Sequence, residues 1–310
     1  MIESADVFER VEKFPNPAAG ERYDRLVGLD DTKARLLKEA RLLLNPDLLE
    51  DWSKKHHGGA VLPVVQAFRE RTPLFVFAGD VGTGKTALAE TFGHELARAE
   101  RISVTLMPLS LNARGTGRVG EMTSLIASAF RTVEERVAGQ RGAKRPTTAV
   151  ILLIDEADAL AQSREASQMH HEDRAGVNAL IRGVDHVSGE GLPVITVMCT
   201  NRTSAIDPAV QRRAAQIFEF GRPNDEQRAA VLQRAFDGAG LSESDLADLV
   251  RQTGPLEGRP YGYTYSDLTM RLIPGAVIDA FPDAPLRPAR IAELVASHPP
   301  TAPFSDGAHD

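Results

Sequence analysis

Eight consecutive residues carry the first recognisable chemistry. Gly79-Asp80-Val81-Gly82-Thr83-Gly84-Lys85-Thr86 reads as glycine, four residues, glycine, lysine and a hydroxyl residue. Glycines let such a loop wrap closely, so that backbone N–H groups point at phosphate oxygens. A helix opening near Thr86 adds the positive end of its dipole. Lys85 supplies a point charge to the β- and γ-phosphates, and the Thr86 hydroxyl can ligate Mg²⁺, with Ala87 next in the first helical turn. A second element is Ala149–Asp158, AVILLIDEAD, an apolar run ending in Asp155 and Glu156. One carboxylate at a strand end can hold Mg²⁺, and the next can polarise an attacking water beside a γ-phosphate. Taken alone, two acids there could equally be a solvated strand end; about 70 residues after the phosphate loop, they read as a hydrolytic pair. A third element is Val194–Asn201, ending Cys199-Thr200-Asn201. The Asn201 amide can hydrogen-bond the γ-phosphate or the water, or can simply occupy a turn.

These groups need strands and helices to bring them together. Five short apolar runs have the length and side-chain types of buried strands: Leu74–Ala78, Ile102–Met107, Val150–Ile154, Val194–Cys199 and Gln216–Phe220. Helical patterns at Thr86–Ala99, Gly120–Val137 and Asp173–Val187 separate the first four. Leu88, Phe92 and Leu96 recur at helical spacing in the first of these. Strands alternating with helices mean βαβ units in a parallel sheet covered on both faces. A further helix is expected over Asp30–Leu44. After Arg222-Pro223 the pattern becomes helical only: Asp225–Ala239, Ser242–Thr253, Ser266–Phe281 and Pro288–Ser297. The expected organisation is a flexible arm over 1–22, an α/β nucleotide-binding domain over 23–222, a small helical domain over 223–297 and a disordered tail over 298–310.

Composition removes several classes. The chain has 310 residues, enough for about two domains at roughly 150 residues each. With 36 basic and 43 acidic residues the net charge is −7, which disfavours a surface devoted to nucleic acid or an anionic membrane. The basic stretch from Arg131 to Arg145 has no aromatics for stacking bases and reads as a solvated loop, so nucleic acid is not an expected partner. A single cysteine, Cys199, excludes an intramolecular disulfide and a cysteine zinc site. No apolar run approaches the roughly 18 residues of a membrane helix, and the charged N-terminus is no secretory signal. The expected location is the cytoplasm. His56-His57 and His170-His171 lack metal-site spacing and read as solvated pairs.

In the order Gly28-Leu29-Asp30, phosphate loop, Asp155-Glu156, Thr200-Asn201 and Ile206-Asp207-Pro208-Ala209, the chain resembles the AAA+ ATPases from residue 24 to about 280. The resemblance implies a five-stranded, doubly wound parallel sheet, with the sensor strand between those carrying the phosphate loop and the acid pair. It implies a C-terminal helical lid, ATP and Mg²⁺ as cofactors, Gly28 beside the nucleotide, and sites completed where subunits meet in a ring, usually a homo-hexamer. Residues 174–185 look like the helix after the second pore loop. Ile206 to Ala214, running without a gap to Gly221-Arg222-Pro223, is similar to the pachytene-checkpoint remodellers, which use ATP to pull open HORMA-domain proteins. Bacterial relatives of that family act on HORMA proteins in anti-phage systems that signal through cyclic nucleotides, which implies a negative regulator here.

The resemblance also assigns residues, and the chain departs from it in places. A neighbouring subunit's arginine stabilises charge on the transferred phosphoryl group. Comparison with the remodellers puts Arg213 in that place and other AAA+ proteins put Arg212; Ala215 stands where a second arginine is common. Tyr265-Ser266-Asp267-Leu268 lacks the usual lid arginine, and Arg271, about one turn on, is the candidate substitute. The substrate-gripping pore segment corresponds to Arg118-Val119-Gly120, without the usual aromatic. Only about 22 residues precede the AAA+ region, so the expectation is that the arm, ring face or pore recognises substrate directly. The missing aromatic keeps open an ATP-gated scaffold that does no unfolding, and the basic stretch a DNA loader or remodeller.

Overall fold

The computed structural model describes residues 7–110, 121–143, 145–158, 171–201 and 206–303. Arg118, Val119, Gly120 and His170 lie outside them. Contacts divide the chain into two compact units. One takes the described residues of Met1–Asp24, Asp31–Ala78 and Thr86–Glu219; the other takes those of Arg25–Asp30, Gly79–Lys85 and Phe220–Asp310. The phosphate loop therefore groups with the C-terminal helices, although a boundary near residue 222 was expected.

The first unit is built on a sheet of six strands: β1 (Glu12–Phe14), β2 (Leu74–Gly79), β3 (Ser103–Ser110), β4 (Thr148–Asp155), β5 (Val194–Thr200) and β6 (Gln216–Phe220). Their order is β1-β3-β4-β5-β2-β6. The pairs β2–β5, β5–β4 and β4–β3 are parallel, and β1 runs antiparallel to β3. As the resemblance implied, β5 lies between the strands that lead into the phosphate loop and the acid pair. Five parallel strands were expected, and β1 corrects that count. It also corrects the flexible arm. Val7, Phe8 and Phe14 are buried, and Glu9 N–H donates to the Pro108 carbonyl at 3.1 Å. Helix α1 (Pro17–Asp24) follows. The three-residue strand was too short to stand out among the polar residues of this segment.

Alternate strand residues face opposite ways, so both faces must be covered. Val76, Met107, Val150, Leu152 and Ile154 join Ile126, Phe130, Leu180 and Val184 in one core. Those partners come from α6 (Glu121–Val137) and α7 (His171–Gly189). On the other face, Phe75 and Phe77 meet Phe218 edge-on, with ring centroids 5.6 and 5.4 Å apart. Helix α5 (Lys85–Glu100) approaches Phe14 and Ile151 through Gly93, where a Cβ would stand 2.5 Å from the Phe14 ring. Helix α2 (Asp30–Leu44) matches its expected bounds. Helices α3 (Asp47–His56) and α4 (Pro63–Arg69) fill a stretch left unassigned above. In α3 the dipole is complemented by Asp47 and Glu50 at its start and Lys54, Lys55 and His56 at its end.

The second unit contains α9 (Asp225–Phe236), α10 (Glu243–Thr253), a π-helical turn (Asp267–Leu272), α11 (Ile273–Ala280) and α12 (Pro288–Ser297). Between β5 and β6 the first unit holds the short helix α8 (Pro208–Gln211). Asn224 and Ser242 close capping boxes at the starts of α9 and α10. Val231, Leu232, Phe236, Leu249, Leu268 and Ile291 make a separate core. Residues 298–303 are held to it, which corrects the disordered tail over that stretch. The Tyr263 hydroxyl donates to the Val295 carbonyl at 3.0 Å and also to that of His298. The Thr301 N–H and hydroxyl donate to Asp267 at 3.1 and 2.7 Å.

Asp267 is 1% exposed and also accepts from Thr264 N–H at 3.0 Å and Arg271 Nη1 at 3.0 Å. Burial alone would raise its pKa, but these hydrogen bonds together hold it below the usual carboxylate value. A depressed folded pKa contributes stability above the unfolded value and loses it as pH falls through the folded one. Asp267→Asn is expected to lower unfolding free energy by about 2 kcal/mol near neutral pH. Denaturant titrations should show the gap between variant and wild type closing below the ordinary carboxylate range. A gap constant down to strongly acidic pH would contradict this.

Candidate active site

The phosphate loop leaves the end of β2 and enters α5. Its glycines are demanded by space. At Gly79 a Cβ would stand 2.1 Å from the Phe220 carbonyl oxygen, which no rotamer relieves. At Gly82 φ is +73°, and a Cβ would stand 2.8 Å from Thr264 Oγ1 and from Ser266 Cβ. The Gly82 carbonyl accepts from Ser266 N–H at 3.0 Å. Lys85 is folded over the loop it ends, with Nζ donating to the Gly79 and Asp80 carbonyls at 2.9 and 2.7 Å. The Thr83 hydroxyl also donates to the Asp80 carbonyl, at 2.7 Å. Gly84 stands beside Leu29, Val81 is exposed, and the Ala87 carbonyl accepts from Thr91 Oγ1 at 2.6 Å inside α5.

Gly28 is held by the same unit. Its carbonyl accepts from Gln227 Nε2 at 2.6 Å and from the Tyr265 hydroxyl at 3.4 Å, and φ is +78°. Burial, with the nearby Asp30 charge adding to it, pushes the Tyr265 hydroxyl up to about 12, so it remains a donor. Arg271 is half exposed and turned onto Asp267.

Thr86, Asp155, Glu156 and Asn201 belong to the first unit. The Thr86 hydroxyl donates to Asp155 Oδ1 at 3.2 Å, which brings together two oxygens that suit Mg²⁺. Burial pushes the Asp155 carboxyl up, and the Glu156 and Glu90 charges add to this. The Glu156 N–H and the Thr86 hydroxyl oppose it. A divalent cation there would restore the carboxylate. Glu156 has φ +52°, in the left-handed region that side chains rarely adopt, and its N–H donates to Asp155 Oδ1 at 2.9 Å. Asn201 follows β5 directly. Its N–H and Nδ2 donate to the two Asp158 oxygens at 2.7 and 3.1 Å, and Thr200 Oγ1 donates to the same carboxylate at 2.8 Å. The structure thus joins the acid strand to the sensor strand through Asp158, which sequence reasoning passed over. Its signal was position: the next carboxylate after the pair, at the mouth of the same strand.

Arg212 and Arg213 follow α8 in the first unit. Arg213 Nε donates to both Asp185 oxygens, at 2.9 and 3.0 Å, and Nη1 reaches the Ala209 carbonyl at 3.3 Å. Arg212 is exposed and forms no ion pair with a described residue. Arg71 clasps the end of this turn by donating to the Ala215 carbonyl and to Glu39. Asp185 and Arg71 lie far from the pair in sequence, and no local pattern pointed to them.

The comparisons with known proteins identify the family. The model for the ATPase family associated with various cellular activities (AAA) matches residues 75–222. CD-NTase-associated protein 6 of Escherichia coli strain MS 115-1 is 51% identical over 304 residues, covering 97% of each chain. That of strain KTE188 is 39% identical, covering 98% of this chain and all of its own. Among solved structures, a chain of the E. coli MS115-1 HORMA:CdnC:Trip13 complex superposes with a TM-score of 0.88 at 50% identity, over 96% of this chain and 97% of that one. Rhizobiales Trip13 gives 0.76 at 45% identity, over 96% and 100%. Near-complete similarity of sequence and fold, reaching from the paired arm through the phosphate loop to the C-terminal helices, places the chain in the AAA family of ATPases.

Proposed function

We propose that this chain assembles into a homo-hexameric ring that hydrolyses Mg²⁺–ATP to pull on and disassemble a partner complex containing a HORMA-domain protein. The ring would act as a negative regulator in a bacterial anti-phage system that signals through cyclic nucleotides. The observation that carries this reading is a similarity of about one residue in two along almost the whole chain, shared with CD-NTase-associated protein 6 and with a chain solved in a HORMA:CdnC:Trip13 complex. Among the described residues no helix is long and apolar enough to cross a membrane.

The chemistry follows from the residues. The loop from Gly79 to Lys85 cradles the phosphates with backbone N–H groups, and Lys85 exchanges its two carbonyl partners for phosphate oxygens. Thr86 and Asp155 hold Mg²⁺, which neutralises charge on the phosphates when bound. Glu156 polarises the attacking water, and Asn201, fixed by Asp158, orients it. A guanidinium from the neighbouring subunit, Arg213 or Arg212, completes the site; Arg271, the candidate lid arginine, is paired with Asp267 and would have to leave it to reach the nucleotide. Met270, Val277, Ile278 and Phe281 leave a large apolar face 50–77% exposed on the helical unit, which supports association between copies.

Glu156→Gln is expected to slow ATP turnover by about 10²-fold or more while keeping ATP bound. It should also retain a co-expressed HORMA-domain protein in an ATP-dependent complex. Turnover at the wild-type rate would exclude the assigned mechanism, and ATP-independent retention would exclude remodelling. Loss of the finger arginine should cost about 10³-fold or more in turnover with nucleotide affinity kept. Steady-state rates of Arg212→Ala and Arg213→Ala identify it, and unchanged rates in both would remove the site shared between subunits.

A further inference from the structure

Arg222 opens the second unit two residues after β6. Nε and Nη2 donate to Asp80 Oδ2 at 2.8 and 2.5 Å, and Nη1 donates to the Gly262 carbonyl at 2.6 Å. The guanidinium carbon stands 5.0 Å from the Tyr261 ring centroid. Both side chains are largely buried, Arg222 at 13% and Asp80 at 17% exposure. A lysine could not reproduce this, because the fork supplies donors in three directions from one plane.

Asp80 belongs to the phosphate loop itself. Its second carboxylate oxygen accepts from Val81 N–H at 2.8 Å, and its carbonyl accepts from Lys85 Nζ and Thr83 Oγ1. A fixed negative charge in this place opposes a bound phosphate chain. An arginine from outside the loop covers that charge.

We propose that Arg222 is a positioning residue for nucleotide binding. It neutralises Asp80 and holds one carboxylate oxygen, Oδ2, on its own guanidinium, while Oδ1 accepts from Val81 N–H within the loop. The inference rests on the nucleotide-binding reading above and adds a residue that reading does not use. Two consequences distinguish it from a merely structural role. The penalty for removing Arg222 should grow with the charge of the ligand, and it should vanish when Asp80 loses its charge.

The test is calorimetric titration of the full chain, carrying Glu156→Gln to prevent turnover, with ATP, ADP and adenosine in Mg²⁺ buffer. Arg222→Gln is expected to weaken ATP about 10-fold or more, ADP less and adenosine little, with the ATP penalty shrinking as salt rises. Asp80→Asn/Arg222→Gln should bind ATP within about threefold of the parent. Asp80→Asn keeps the guanidinium, serves where Arg222→Gln does not fold, and is expected to hold ATP as tightly as the parent or more tightly. Equal penalties for ATP and adenosine, a double variant as weak as Arg222→Gln, or a tenfold loss in Asp80→Asn would each overturn the proposal. A parent that binds no nucleotide would overturn the nucleotide reading as well. A parent that binds normally beside an unaffected Arg222→Gln would overturn only the role of Arg222.

Discussion

A triphosphate is strongly solvated in water, and a protein that holds one must replace that solvation with donors fixed in advance. Backbone N–H groups do this only if the chain comes close, and close approach forbids side chains. That constraint is visible at Gly79, pressed on the Phe220 carbonyl, and at Gly82, wedged against Thr264 and Ser266. The same packing explains why the loop groups with the C-terminal helices and not with the sheet that launches it. The residues crowding it are lid residues, and Ser266 N–H is bonded to the loop's own backbone. One peptide bond, Lys85–Thr86, then carries the chain from the second unit into the first.

The strand ends of the first unit set the other half of the chemistry. Parallel strands all finish on the same edge, so β4 and β5 deliver Asp155 and Asn201 as neighbours without any long loop. Burial at such an edge makes a carboxylate costly unless something positive or hydrogen-bonding answers it. Asp155 is answered only in part by Thr86 and by the Glu156 N–H, and its pKa is pushed up accordingly. Asp158 is answered by three donors from β5 and its exit. Two acids three residues apart thus meet different surroundings: Asp155 is only partly answered, and Asp158 is fully engaged with Thr200 and Asn201.

Much of this could be read from residue order. The phosphate loop, acid pair and sensor are local patterns at strand ends, and local patterns survive without coordinates. The apolar runs of β2, β4 and β5 are unbroken because both sheet faces are buried. Long-range partners were not legible. Arg213 bonding Asp185, Arg71 bonding Ala215 and Gln227 bonding Gly28 join residues 28 to 199 positions apart, and nothing in either neighbourhood announces the other. The arm failed for another reason. Three residues of strand carry no periodicity, and their pairing with β3 and the packing of Phe14 on α5 at Gly93 are contacts across the chain.

The backbone at Glu156 draws these features together. A non-glycine residue in the left-handed region costs on the order of 1 kcal/mol or more and persists only where neighbours over-determine it. Here they do so on both sides. Asp155 before it is the last residue of β4 and accepts its N–H. Ala157 after it donates to the Cys199 carbonyl at 2.9 Å, and Asp158 binds Thr200 and Asn201. Released from that frame, residue 156 would relax toward an extended conformation and its side chain would leave the direction the turn imposes. The strain therefore serves orientation: β4 and β5 hold the peptide in a conformation that a glutamate would not choose, and so fix the direction of its side chain. A carboxylate held in this way depends on the register between those two strands.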